Sequence, residues 1–223
     1  MSSKKGSYKV MPILSIVFFS VSLVLFFLKT VWATAARTVL YGSSSFAHSL
    51  IAEGGKSFAL SFPAILFIIC AALYLKKSSA YRKMSVVAIT AQTISCVIII
   101  ARLIFANNLL SFPKNAAYLI ILCLMYLCIA VLCFIAAIKT IKDKSKRTLL
   151  LIAGSIGICI AALMLGYEAY QVAANFAFYG EHTFLLLNKC TSALLYFVSL
   201  SFYYTAFIFF ATFRKKAIKD ADK

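Results

Sequence analysis

Six long apolar runs constrain this chain more than any other feature of its sequence. They cover residues 10–28, 57–75, 84–105, 116–138, 149–170 and 190–213, and basic segments or half-polar connections separate them. A helix needs about 20 apolar residues to cross the hydrocarbon core of a bilayer, and a soluble core does not need several such runs. The sequence therefore predicts an all-α polytopic integral membrane protein, a single six-helix bundle over residues 1–223.

The net charge of +17 is distributed as membrane topology would place it. Of the 23 basic residues, 17 lie in the N-terminal segment, residues 76–83, residues 139–147 and the C-terminal tail. Because cytoplasmic loops carry the excess of Lys and Arg, we expect both termini in the cytoplasm and the chain in the plasma membrane. The other six basic residues then lie outside: Lys29, Arg37, Lys56, Arg102, Lys114 and Lys189. A nucleic-acid partner is not expected, since that would require a continuous basic face.

The fifth apolar run carries a stripe of small residues that leads to an acid. Ala153, Gly157 and Ala161 repeat every fourth residue, and Glu168 follows on the same face, next to Tyr167 and near Tyr170. Small residues let a second helix approach closely, so the stripe predicts a helix interface, and a partner membrane protein is one candidate for the other side of it. An acid is costly in lipid and should face protein or water. The run therefore predicts a polar pocket near one membrane surface.

Polar residues at helical spacing in two other runs extend this predicted pocket. In the third run, Gln92 and Arg102 share one face, and Arg102 lies at about the depth of Glu168, so the two side chains form a possible ion pair. In the sixth run, the spacing i, i+4, i+7 and i+11 aligns Ser192, Tyr196, Ser199 and Tyr203. The alternatives are that Arg102 extends to the headgroups and that the tyrosines only pack between helices.

No sequence motif specifically supports catalysis, a metal or a cofactor. The seven cysteines form no C-x-x-C pair and no zinc-type spacing with the two histidines. Hydrolase, metalloprotease and nucleotide-binding signatures are also absent from the sequence.

The favoured function is transport or capture of a small solute in an outward pocket between spans three, five and six, with residues 29–56 and 171–189 as lids. In general layout this resembles the substrate-binding components of energy-coupling-factor vitamin importers, which are compact six-helix proteins with outward pockets. That resemblance is one of layout alone, and no motif matches. The alternatives are a non-catalytic subunit or an accessory or immunity factor bound to another membrane protein, and a lipid-acting membrane enzyme that uses Glu168. A channel is a weaker alternative, because one acid per chain forms a ring of charge only in an oligomer.

Overall fold

The computed structural model describes residues 7–42, 46–106, 115–141 and 147–221, and these residues are almost entirely helical. They form α1 (Ser7–Tyr41), α2 (Phe46–Leu75), α3 (Tyr81–Ala106), α4 (Ala116–Ile141), α5 (Arg147–Ala174), α6 (Phe176–Glu181) and α7 (Thr183–Ala221). All but the short α6 are long and apolar enough to cross a membrane. The predicted all-α membrane bundle is therefore confirmed for the described part of the chain.

The six long helices form a ring in which each packs against its neighbours in sequence, and α7 closes the ring between α5 and α1. Two hydroxyl contacts fix α1 and α7 as antiparallel. The Ser15 hydroxyl donates to the carbonyl of Ala206 at 3.1 Å, and the Ser22 hydroxyl donates to the carbonyl of Ser199 at 2.9 Å. The start of α1 and the end of α7 consequently lie at the same end of the bundle, which we call the terminal end.

Aromatic side chains of α7 fill the ring toward the terminal end. Phe207 and Phe210 are buried and contact Phe67 of α2, with ring centroids 5.2 and 4.7 Å apart. Tyr203 lies edge-on to Phe19 of α1 at 5.3 Å. These contacts connect α7 with two helices at once, so buried aromatic rings pack this half of the ring.

The small-residue stripe of α5 packs against α7 of the same chain. Ala153 and Ala161 are fully buried, and a Cβ atom added to Gly157 would lie 2.1–2.3 Å from the ring of Tyr204. The absence of a side chain at Gly157 is what lets Tyr204 lie against the α5 backbone. The stripe is therefore an interface between two helices of the same chain. It is buried there and is not exposed to the predicted partner membrane protein.

The helices extend beyond the predicted spans, and the predicted long connections are correspondingly short. α1 continues to Tyr41 and ends at Gly42, whose φ of +84° suits glycine and whose N–H donates to the carbonyl of Thr38. A Gly-Gly pair is typical of a turn or hinge, yet Gly54 and Gly55 both lie inside α2. Most of the two segments predicted as lids is therefore helix.

Candidate functional site

A cavity of about 720 Å³ lies inside the ring at the end opposite the terminal end. Its volume is typical of small-molecule sites, and its lining along α4 extends from Asn115 to Tyr126, about 16 Å of helix. All seven helices contribute. The lining comprises Lys29, Ala33, Arg37, Gly55, Ala59, Ile98, Ile99, Arg102, Leu103, Asn115, Tyr118, Leu119, Leu122, Tyr126, Met164, Leu165, Tyr167, Glu168, Tyr179, Leu185, Asn188, Lys189, Ser192, Ala193, Tyr196 and Phe197.

Cationic side chains outnumber acidic ones around the cavity. Lys29 and Arg37 come from α1, Arg102 from α3 and Lys189 from α7, whereas Glu168 is the one carboxylate among the described lining residues. Basic residues at membrane depth are costly and generally face a cavity or a partner. Among the described lining residues, cationic groups therefore outnumber carboxylates inside an otherwise apolar bundle.

The two lysines are held by aromatic rings and by the acid. The Lys29 ammonium lies 5.3 Å from the ring centroid of Tyr196, and the lysine is only 7% exposed. The Lys189 ammonium lies 3.5 Å from the Glu168 carboxylate and 5.4 Å from the ring centroid of Tyr179. Cation–π contacts of this kind orient an ammonium group, and both lysines belong to the cavity lining.

A stacked pair of tyrosines forms the wall between α4 and α5. The rings of Tyr118 and Tyr167 are nearly parallel, with centroids 3.8 Å apart. The Gln171 side-chain amide donates to the Tyr167 hydroxyl at 2.8 Å, which fixes the phenol from the same helix. On α7, the Ser192 hydroxyl donates to the side-chain oxygen of Asn188 at 3.3 Å. The wall thus combines flat apolar surface with a few neutral polar groups.

Five of the nine residues predicted to bind substrate line this cavity: Glu168, Arg102, Tyr167, Ser192 and Tyr196. Three others lie deeper, in the packed core. The Tyr203 hydroxyl donates to the side-chain oxygen of Gln92, the Gln92 amide contacts the Cys96 sulfur at 3.5 Å, and the Ser199 hydroxyl donates to the carbonyl of Tyr196 at 2.9 Å. Tyr170 is 65% exposed on α5 and is not part of the cavity lining.

An ion pair between Arg102 and Glu168 was predicted from the sequence, and both residues line the cavity. The ammonium partner of Glu168, however, is Lys189, which was not selected. Lys29, Arg37 and Lys189 were missed as site residues. Their signal was already visible, because they belong to the six basic residues outside the terminal-end clusters. Of the remaining two, Lys114 and the side chain of Lys56 lie outside the described part of the chain.

Within the described residues, no cluster of three His, Cys, Asp or Glu side chains has the arrangement of a metal site. The cavity itself offers ammonium, guanidinium, phenol and amide groups around one carboxylate. This donor set suits binding of an anion by charge-assisted hydrogen bonds.

A scan against protein-family models, a search of curated proteins and a search of solved structures each give no match.

Proposed function

We propose that this chain captures or transports a small anionic solute, which binds in the cavity at the end of the bundle opposite the terminal end. The observation that carries the proposal is the convergence of four cationic side chains and one carboxylate on a single cavity.

The energetics of the bundle support an anion as the ligand. Lys29 is almost fully buried within a helix that crosses the membrane, and it lines the cavity. Its positive charge would attract an anionic solute bound there. Arg102 adds a planar guanidinium, the group best suited to two parallel hydrogen bonds with a carboxylate or phosphate. The stacked Tyr118 and Tyr167 rings would then cover the apolar part of the solute.

The distribution of basic residues supports the direction of binding. The 17 basic residues of the N-terminal segment, residues 76–83, residues 139–147 and the C-terminal tail favour a cytoplasmic location for both termini under the positive-inside rule. We therefore infer a protein of the plasma membrane whose cavity is on the outward side. In that orientation the cavity would receive a solute from outside the cell.

Neither alternative function has a specific observation in its favour. The stripe that suggested a partner protein is covered by α7, as Gly157 under Tyr204 illustrates. A lipid-acting enzyme would need Glu168 as an acid or base, and its carboxylate is 3.5 Å from the Lys189 ammonium. That pairing favours a structural or binding role for the carboxylate.

Thermal unfolding of the purified protein in dodecyl maltoside tests the proposal. Phosphate, acetate, citrate and benzoate are added separately, and choline chloride serves as the cationic comparison. We expect at least one anion to raise the unfolding temperature of the wild type. For Lys29→Met, the same rise should require an anion concentration about tenfold higher. Lys83→Met removes an exposed lysine at the terminal end and should respond as the wild type does. Stabilisation by choline alone would contradict an anionic ligand.

A further inference from the structure

A second concave surface adjoins the cavity between α2 and α3, and it is almost entirely apolar. This groove has a volume of about 490 Å³ and includes Phe62, Val87, Ala91 and Ile94. Phe62, Val87 and Ile94 are about half exposed on the outer face of the bundle. In a membrane that face meets hydrocarbon, so the groove is a surface for an alkyl chain.

The groove and the cationic cavity share part of their lining. Ala59 of α2 and Ile98 of α3 belong to both. Along α2, Gly55 faces the cavity four residues before Ala59, and Phe62 faces the groove three residues after it. Along α3, Arg102 faces the cavity four residues after Ile98. Helical spacing therefore places the groove and the cavity next to each other, with Ala59 and Ile98 at their border.

Arg102 lies on the cavity side of this border, one helical turn after Ile98. A Cβ atom added to Gly55 would be 2.9 Å from Nη1 of Arg102, so the guanidinium of α3 lies directly over the α2 backbone. Gly55 has no side chain and Ala59 has only a methyl group. These two residues of α2 therefore put no bulky side chain beside the guanidinium. A cation thus lies at the junction between an apolar outer groove and a cationic interior.

We propose that the ligand of this cavity is a membrane-resident amphiphile, with an anionic head in the cavity and a hydrocarbon chain in the α2–α3 groove. This inference rests on the proposed function and narrows its substrate class. Charge complementarity places the head beside Arg102 and Lys29, and the chain stays in an apolar environment while the head moves inward. Entry is then lateral, from the bilayer, and needs no exposure of the chain to water.

The test uses dodecyl phosphate added to the full-length protein in dodecyl maltoside micelles. The neutral detergent supplies the same twelve-carbon chain, so any specific binding reports the anionic head. Native mass spectrometry counts bound dodecyl phosphate, and thermal unfolding gives its apparent affinity. Inorganic phosphate is titrated in parallel as the same head without a chain.

Two variants separate the head site from the chain site. Arg102→Met should weaken dodecyl phosphate binding about tenfold or more, because it removes charge-assisted hydrogen bonds to the head. Ala91 lines the groove and is not among the residues that line the cavity. Ala91→Phe adds a ring there, and it should weaken dodecyl phosphate binding by a similar factor but leave inorganic phosphate binding unchanged. Val131→Phe adds the same ring to an exposed position on α4 and is the matched control.

The outcomes distinguish this inference from the proposed function. Lateral binding of an amphiphile is supported if dodecyl phosphate binds equally well to the wild type and to Val131→Phe. It must also bind more weakly to both Ala91→Phe and Arg102→Met. Equal binding of dodecyl phosphate to wild type and Ala91→Phe overturns it. Binding of inorganic phosphate alone, lost in Arg102→Met, also overturns it but preserves the cavity as a site for a soluble anion. Failure of both phosphates to bind overturns the amphiphile and counts against the anionic cavity as well.

Discussion

The two ends of the helical ring differ in what occupies the space between the helices. At the terminal end, buried aromatic rings such as Tyr204 and Phe207 fill the ring, and Gly157 lets α5 and α7 come into direct contact. At the other end, Lys29 and Arg102 line a cavity of about 720 Å³. Close packing stabilises one end, while the other end retains charges that are costly in a membrane. Close packing and the proposed ligand site therefore lie in different halves of the same helices.

The largest expected effect on stability is at the α5–α7 contact. Gly157→Leu places side-chain atoms where the Tyr204 ring lies, since even a Cβ atom would be 2.1–2.3 Å from it. We expect a loss of about 3 kcal/mol or more in the free energy of unfolding, measured by thermal unfolding in detergent. Gly166→Leu is the matched control on the same helix, because a Cβ atom there meets nothing within 4 Å. Equal unfolding temperatures for the two variants would mean that α5 and α7 are not packed as described.

A smaller loss of stability is expected from the buried hydrogen bond beneath the cavity. Tyr203→Phe removes the donor to Gln92 and leaves a buried amide oxygen unpaired. We expect a cost of about 1–3 kcal/mol, with anion affinity unchanged. Tyr170→Phe removes an exposed hydroxyl and should change stability by less than about 0.5 kcal/mol. A Tyr203→Phe protein that unfolds normally but binds no anion would place the ligand deeper than the cavity.

The apolar runs were sufficient to predict six spans, but not where each helix ends. Lys29 follows the first predicted span directly, so it was assigned to the outward connection of residues 29–56, whereas α1 continues for three further turns to Tyr41. The extension places Lys29 inside the bundle. Gly54 and Gly55 form a pair that is typical of a turn or hinge. In α2 the missing side chain at Gly55 instead makes room for Arg102.

Helical spacing predicted which residues share a face, but gave no information about depth. Ser192, Tyr196, Ser199 and Tyr203 do form one stripe, yet its first two residues line the cavity and its last two are packed in the core. A stripe of this length covers about 16 Å along the helix axis, which is enough to pass from one half of the bundle into the other. Side chains from other helices determine where the cavity ends and the packed core begins. Residue spacing within one helix therefore cannot predict that boundary.

A charge in the cavity should affect binding much more than stability. Lys29→Met removes a buried ammonium and its contact with Tyr196. These effects oppose each other, so we expect a change of about 1 kcal/mol or less in the free energy of unfolding. Anion affinity, read from the concentration dependence of thermal stabilisation, should fall about tenfold or more. A loss of stability as large as that of Gly157→Leu would show that Lys29 is a structural residue.

The smallest effect on stability is expected at the acid of the cavity. Glu168 is 40% exposed and pairs with Lys189 at 3.5 Å, and such pairs contribute about 0.2–1 kcal/mol. Glu168→Gln should therefore unfold almost as the wild type does. Its affinity for an anion should rise, because the substitution removes a negative charge from the cavity and releases Lys189. A lower affinity would instead mean that the carboxylate itself accepts a hydrogen bond from the ligand.

Native mass spectrometry of the gently purified protein tests the central claim most directly, because it identifies what the cavity retains from the membrane. Wild type and Arg102→Met are compared after identical extraction in dodecyl maltoside. We expect the wild type to retain an anionic small molecule or lipid in about equimolar amount, and Arg102→Met to lose it. Retention of a neutral or cationic molecule by both proteins, or a second protein in fixed ratio without any small molecule, would contradict an anion-binding cavity.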